Sequence, residues 1–244
     1  MSGDRGRPGG PGRHPVAGRP AGAAATGTVP DSGHGLVDVA DAGAFLARLV
    51  RLEPAAPVRL RSTPDAGRTA LWARLPWGVL VVRPVAGDGP GDATVAAQEL
   101  LAELTAGGGA LPARHDAQWR WPLPPPASRR VEVLPATEVR RVAEAAAGTL
   151  REAAAHGVAG RAVGQRVLRD ALLDHVPVVV RPDDGPEEPV EVSQRLVQGL
   201  VRMGFLGATD GDVQVRTVGR WVGLVGPYGA AWSQKATDLA VKPL

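Results

Sequence analysis

Near the C-terminus the apolar positions recur first at helical and then at alternating spacing. Between Val192 and Leu206, the residues Leu196, Val197, Leu200, Val201 and Leu206 share one helix face. Asp210-Gly211 then turns the chain into an alternating run from Val213 to Val218. Gly219-Arg220 links that run to a second one, Trp221 to Val225. A two-residue loop opening with Gly suits a type II′ turn. This loop pairs Val215 with Leu224 and Thr217 with Val222 on one face, and leaves Gln214, Arg216, Val218 and Trp221 on the other. A helix followed by a hairpin is how a winged-helix domain ends.

Upstream, Phe45, Leu46, Leu49 and Val50 mark a helix with Asp41 as its N-cap and Pro54 as its stop. Strands are predicted at Val58–Arg61, Thr69–Leu75 and Gly78–Val85, and a helix capped by Asp92 carries Ala97, Leu100, Leu101 and Leu104 inward. After a segment rich in Pro and Trp, the pattern predicts a strand over Arg130–Leu134 and a helix from Thr137 to Gly157. A second helix over Arg161–Asp174, a short strand over Val176–Val180 and an acidic loop over Pro182–Pro189 follow.

The resulting expectation is an α+β protein of two small α+β domains, the second ending in a winged-helix-like helix plus hairpin. The division runs 1–35 as a disordered Gly/Pro-rich tail, 36–109 as the N-terminal domain, 110–128 as a linker or covering segment, and 129–244 as the C-terminal domain. The tail holds ten Gly and five Pro with almost no large apolar side chains, too little to offset its ordering entropy. Its Arg5, Arg7, Arg13 and Arg19 read as solvated charges.

Composition narrows the chemistry. The chain has 244 residues, 44% hydrophobic and 22% charged, as in soluble globular proteins. Its pI near 10.1 reflects the use of arginine rather than a large surplus, since the net charge is only +3 and Lys235 and Lys242 are the only lysines. There is no cysteine, so disulfides, thiolate–metal sites and thiol catalysis are excluded. No apolar run approaches membrane-spanning length, and a soluble cytoplasmic protein without a membrane partner is expected.

Candidate chemistry is sparse. On a winged-helix reading, Gln194, Arg195, Gln198 and Arg202 form an exposed recognition face, Arg220 sits at the wing tip, and Arg216 and Trp221 lie behind it. Gln and Arg are suitable donors to base edges and phosphates. Against this, Gly199 falls mid-helix, where it weakens a presented helix by about 1 kcal/mol. The GVAG of Gly157–Gly160 matches the clamp loop of a KH domain, but seven GxxG matches occur among 32 glycines and this one reads as a helix–helix turn. His115-Asp116 and the group Asp170, Asp174 and His175 are the only titratable clusters, and neither forms a ligand set. No catalytic, cofactor-binding or metal-binding residue is assigned.

Three stretches carry a resemblance: LWARLPWGVLVVRP (Leu71–Pro84), LPARHDAQWRW (Leu111–Trp121), and LVRMGFLG (Leu200–Gly207) followed by GRWVGLVGPYG (Gly219–Gly229). They resemble a family of uncharacterised actinobacterial proteins over roughly residues 36–232. The resemblance implies no activity, cofactor or functional residue. The reading is therefore a cytoplasmic, non-enzymatic interaction or regulatory module with an unidentified protein partner. A winged-helix DNA-binding regulator is the alternative, and an enzyme of unknown class is the weaker one.

Overall fold

Alternation along the strands places the apolar side chains on one side of a single eight-stranded sheet, and the helices cover that side. The computed structural model describes residues 33–63, 66–156, 164–181, 188–207 and 211–235. Most of the expected tail, the GVAG loop, most of the acidic loop and the Asp210 turn lie outside the described residues.

Helix α1 (Val39–Leu52) is capped by the Asp38 carboxylate, which accepts the Asp41 amide at 3.2 Å, and it buries Ala42, Phe45, Leu46 and Leu49. Strands β1 (Pro57–Thr63), β2 (Arg68–Arg74) and β3 (Leu80–Ala86) form an antiparallel meander. Strand β4 (Asp92–Ala96) returns to pair with β1 and leads into α2 (Ala97–Thr105). Asp92 was expected to cap that helix. Instead it opens β4, because the buried run Ala93–Val95 pairs with β1, and the helix starts at Ala97 with no side-chain cap.

The second half opens with β5 (Arg129–Pro135) and α3 (Ala136–His156), followed by α4 (Gln165–Asp174). A two-stranded sheet of β6 (Val178–Val180) and β7 (Val190–Val192) intervenes before α5 (Gln194–Arg202). A second meander of β8 (Asp212–Val218), β9 (Trp221–Gly226) and β10 (Gly229–Gln234) completes the described chain.

The sheet order is β4-β1-β2-β3-β10-β9-β8-β5, so the halves join where β10 pairs antiparallel with β3 through Val82–Ala230, Val81–Ala231 and Leu80–Trp232. The described residues all belong to one compact unit. The main core lies between the sheet and helices α1, α2, α3 and α5, with Phe45 and Phe205 stacked at 6.3 Å between the two halves. A smaller core on the opposite face contains Leu80, Val82, Trp221, Ala230 and Trp232, covered by Trp119, Trp121 and Leu123.

The winged-helix expectation fails on this topology. The hairpin register is as read from the sequence, with Val215 opposite Leu224 and Thr217 opposite Val222. However, β9 lies between β8 and β10, and β8 between β9 and β5, so the hairpin is sheet interior and not a free wing. Helix α5 is likewise packed down, with Leu196, Val197, Gly199 and Leu200 buried. Gly199 marks that contact: a Cβ there would lie 3.1 Å from Val79 Cγ1 and 3.3 Å from Ala231 Cβ.

Candidate functional site

The expected interaction residues fall on two opposite sides of the sheet. On the helix side, Gln194 is buried, and Arg195 donates to Trp77 O at 2.7 Å and to Asp174 Oδ1 at 2.6 Å. Gln198 reaches Ala143 O, and Arg202 binds Gln198 Oε1 while its guanidinium lies 5.7 Å from the Trp77 ring centroid. On the far side, Arg216 donates to Ser128 Oγ and Gln214 Oε1, both at 2.8 Å. Arg220 donates to Lys235 O, and Trp221 is buried in the smaller core. The structure therefore does not assemble these seven residues into one surface.

Asp116 and Asp174, one from each titratable cluster, are engaged in contacts within the fold. Asp116 accepts the Thr94 amide at 2.7 Å and pairs with Arg114. Partial burial raises its carboxyl pKa, but the Thr94 amide and Arg114 outweigh that and hold it below the usual range. Arg195 lowers the Asp174 carboxyl. Among the described residues no group of three His, Asp or Glu side chains could hold a metal ion.

Two clefts flank the loop after α5. One of about 410 Å³ is lined by Asp41, Arg48, Arg83, Gly204 and Tyr228, and one of about 280 Å³ by Arg140, Glu144, Gln198 and Gly204. In the first, Arg83 is committed to Asp41 and to Tyr228 O, and stacks 5.1 Å from the Tyr228 centroid.

The organised feature on the far face lies in 110–128, the segment expected from sequence as a linker or covering segment, though not as a candidate site. Residues 110–128 form a strap. It wraps the β4 edge, where Arg114 bridges Val95 and the His115 amide donates to Thr94 O at 2.7 Å. It then crosses the sheet to Ser128, held by Arg216 near the opposite edge. Trp119 and Trp121 meet edge to face at 5.4 Å, with the Trp119 indole N–H donating to Trp121 O at 2.7 Å. Arg59 lies over Trp119 and Arg74 over Trp121, at 5.8 and 5.2 Å. Arg59 also forms a two-pronged bond with Asp92, both contacts 2.7 Å. The bond raises the arginine's pKa and lowers that of the carboxyl. The alternation of Trp119, Arg120 and Trp121 was the available signal for this ladder.

Residues 34–121 match a domain of unknown function, DUF8010, and residues 123–238 match another, DUF8185. Both being domains of unknown function agrees with the expectation of an uncharacterised family. No curated protein matches the chain. Solved structures do. A DnaN sliding clamp (DNA polymerase III subunit beta) from Bartonella birtlesii bound to griselimycin has a TM-score of 0.52 at 14% identity, covering 82% of this chain and 64% of that one. The DNA polymerase III subunit beta from Pseudomonas aeruginosa has a TM-score of 0.51 at 12% identity, with 80% and 62% covered. The beta subunit from DNA polymerase of Streptococcus pyogenes gives 0.50 at 9%, with 79% and 61%.

The fold resembles that of a DNA polymerase sliding clamp. This likeness overturns both the winged-helix regulator and the generic interaction or regulatory module expected from sequence. The chain spans a little over three fifths of the length of these clamp chains. No helix among the described residues is long and apolar enough to cross a membrane.

Proposed function

We propose that this chain is a DNA-associated protein of the sliding-clamp type, acting in or beside replication. The observation that carries the reading is the likeness to polymerase clamps over about four fifths of the chain. A likeness of that extent is not confined to either half of the chain. A broad, twisted sheet backed by one helix layer is stiff, which suits a protein that holds its shape along a duplex. The arginine-rich composition supplies phosphate donors without a large net charge. On this reading the chain works on DNA in the cytoplasm and offers part of its surface to replication proteins.

The test is retention on DNA. The full chain is incubated with mixed-sequence plasmid, nicked circular in one arm and linearised in the other, and its dissociation is followed. The reading expects sequence-independent association and slower escape from the circle than from the linear form. Equal escape from both would overturn the clamp-type assignment. Absence of binding at low salt would overturn the DNA role altogether.

A further inference from the structure

We propose that the strap is a preformed polyproline II ligand. Pro122 and Pro125 present it to a partner domain whose aromatic-lined groove is bordered by carboxylates. This goes beyond the DNA-associated reading and does not depend on it.

The first observation is the backbone. Residues 121–126 read WPLPPP, so each is a proline or stands directly before one. A proline ring fixes φ near about −65°, and the residue before a proline is driven out of the helical region into the extended one. Both constraints are met together in polyproline II, which repeats about every three residues. Exposure follows that repeat: Trp121 and Pro124 are half-buried, whereas Pro122 and Pro125 are exposed. Trp121 and Leu123 pack onto the smaller core, and Pro126 is exposed beside the ridge. The outward ridge is therefore Pro122-x-x-Pro125, about 9 Å long at about 3.1 Å per residue.

The second observation is that the ridge is held at both ends while its backbone stays unused. At one end Trp119 donates to Trp121 O, with Arg59 and Arg74 over the two rings. At the other, Arg216 donates to Ser128 Oγ and to Ser128 O. Between these anchors no described residue bonds to the carbonyls of residues 122–127. A tryptophan or tyrosine in a partner's groove packs its ring on proline and gives its N–H or O–H to such a carbonyl. Because the strap is already ordered, little conformational freedom is lost on docking.

The third observation is charge, and it selects among grooves. Arg120 precedes the ridge and Arg130 follows it. Both are exposed, and neither makes a hydrogen bond or ion pair among the described residues. The acidic side chains nearest in sequence are engaged elsewhere. Asp116 holds Arg114 and the Thr94 amide, and Glu132 accepts the Val133 amide. Carboxylates at the borders of a groove pair with these two guanidiniums in the forked geometry arginine offers.

The experiment is isothermal titration calorimetry of the full chain with two probes. One is an SH3 domain whose proline-binding groove is edged by carboxylates, and the other is the same domain with those carboxylates changed to amides. The variants are Pro122→Ala/Pro125→Ala and Arg120→Gln/Arg130→Gln, with near-ultraviolet circular dichroism of the tryptophans showing that the strap stays in place. The proposal expects saturable binding to the acid-edged domain, weakened at least about tenfold by either variant. The amide-edged domain should bind more weakly and show no difference between the unaltered chain and the arginine variant. No binding of the unaltered chain at about 1 mM acid-edged domain, or equal affinity for the unaltered chain and the proline variant, would overturn the proposal. If the proline variant disturbs the strap, the arginine variant decides alone. Undiminished binding of the arginine variant to the acid-edged domain would overturn the choice of groove.

Discussion

Gly223→Ala tests how the smaller core is built, and the structure supplies the magnitude. Gly223 on β9 sits opposite Trp232 on β10, and the indole lies flat over the glycine. A Cβ at position 223 would be 2.4 Å from Trp232 Cε3 and 2.6 Å from Cδ2 and Cζ3. The backbone of Gly223 is not in the left-handed region, so alanine meets no dihedral strain and the whole effect is one of space. The ring must retreat by about 1 Å to reach an ordinary carbon–carbon contact. It has nowhere free to go, being buried among Leu80, Val82, Trp221 and Ala230. Overpacking of this kind costs about 1–3 kcal/mol, and three ring atoms inside 3 Å argue for the upper part of that range. Restricting the unfolded chain returns about 0.4–1 kcal/mol. The expected net loss is about 2 kcal/mol, or about 4–8 °C in Tm for a chain of this size. Urea unfolding followed by circular dichroism measures it, with the m-value unchanged. Repeating the substitution in a Trp232→Leu background supplies the control. With the ring gone, Gly223→Ala should cost less than about 0.5 kcal/mol, a coupling of the size seen between touching residues. A neutral Gly223→Ala, or the same cost in both backgrounds, would refute the packing argument.

Three further outcomes follow from the same geometry. Gly199→Val should destabilise by about 3 kcal/mol in a thermal melt. The new branched side chain meets Ala231 Cβ, which has no rotamer to yield, and the gain in helix propensity is too small to compensate. Because Arg59 depresses the Asp92 pKa, the pair should stabilise the fold above the ordinary carboxylate range and lose that contribution as pH falls through the depressed value. Asp92 is 46% exposed, so the effect is about 0.2–1 kcal/mol; Asp92→Asn should flatten that part of the urea-midpoint profile between about pH 7 and about pH 3. Finally, we expect fragments 34–121 and 123–238 to be soluble chiefly together: each alone bares β3 or β10 as an unpaired edge, and co-purification of the two when co-expressed is the check.

Local pattern carried most of the first half of the chain, though not β4, and the hairpin register, because those elements are defined by side chains that alternate or recur within one segment. Helix α1, the first meander and the pairing of Val215 with Leu224 all follow from such periodicity. Strand β10 did not, because its first residues, Gly229-Ala230-Ala231, have no bulk to signal a strand. They are small because neighbours come close: a Cβ at Gly229 would sit 2.6 Å from Val82 O, across the junction with β3. Gly199 has the same origin. Read alone it seems to weaken an exposed helix, and in the fold it lets that helix lie on the sheet. A helix followed by a hairpin is compatible with either architecture, and what separates them is whether β9 has a partner on its other side. That partner is supplied by β10, only a few residues on, whose own pattern is silent.

The order of elements explains why the strap crosses the sheet where it does. Each half contributes a helix followed by a three-strand meander, α1 with β1–β3 and α5 with β8–β10. Each also contributes a strand leading into a helix, β4 to α2 and β5 to α3. In the first half the strand–helix unit comes after the meander, and in the second half before it. With the two meanders joined at β3–β10, β4 and β5 are forced to opposite edges of the sheet. The chain between them must therefore cross the full width, and the helix layer already occupies one face. From Arg114 to Ser128 an extended chain reaches at most about 46 Å, against a sheet width of about 34 Å, so the crossing leaves room for little beyond the short 3-10 turn at Asp116–Gln118. A straight run over a sheet buries alternate side chains and exposes those between. Trp119 and Trp121 point inward onto the smaller core, and Arg120 points out. The topology thus fixes the strap, and the strap's alternation fixes which residues face solvent.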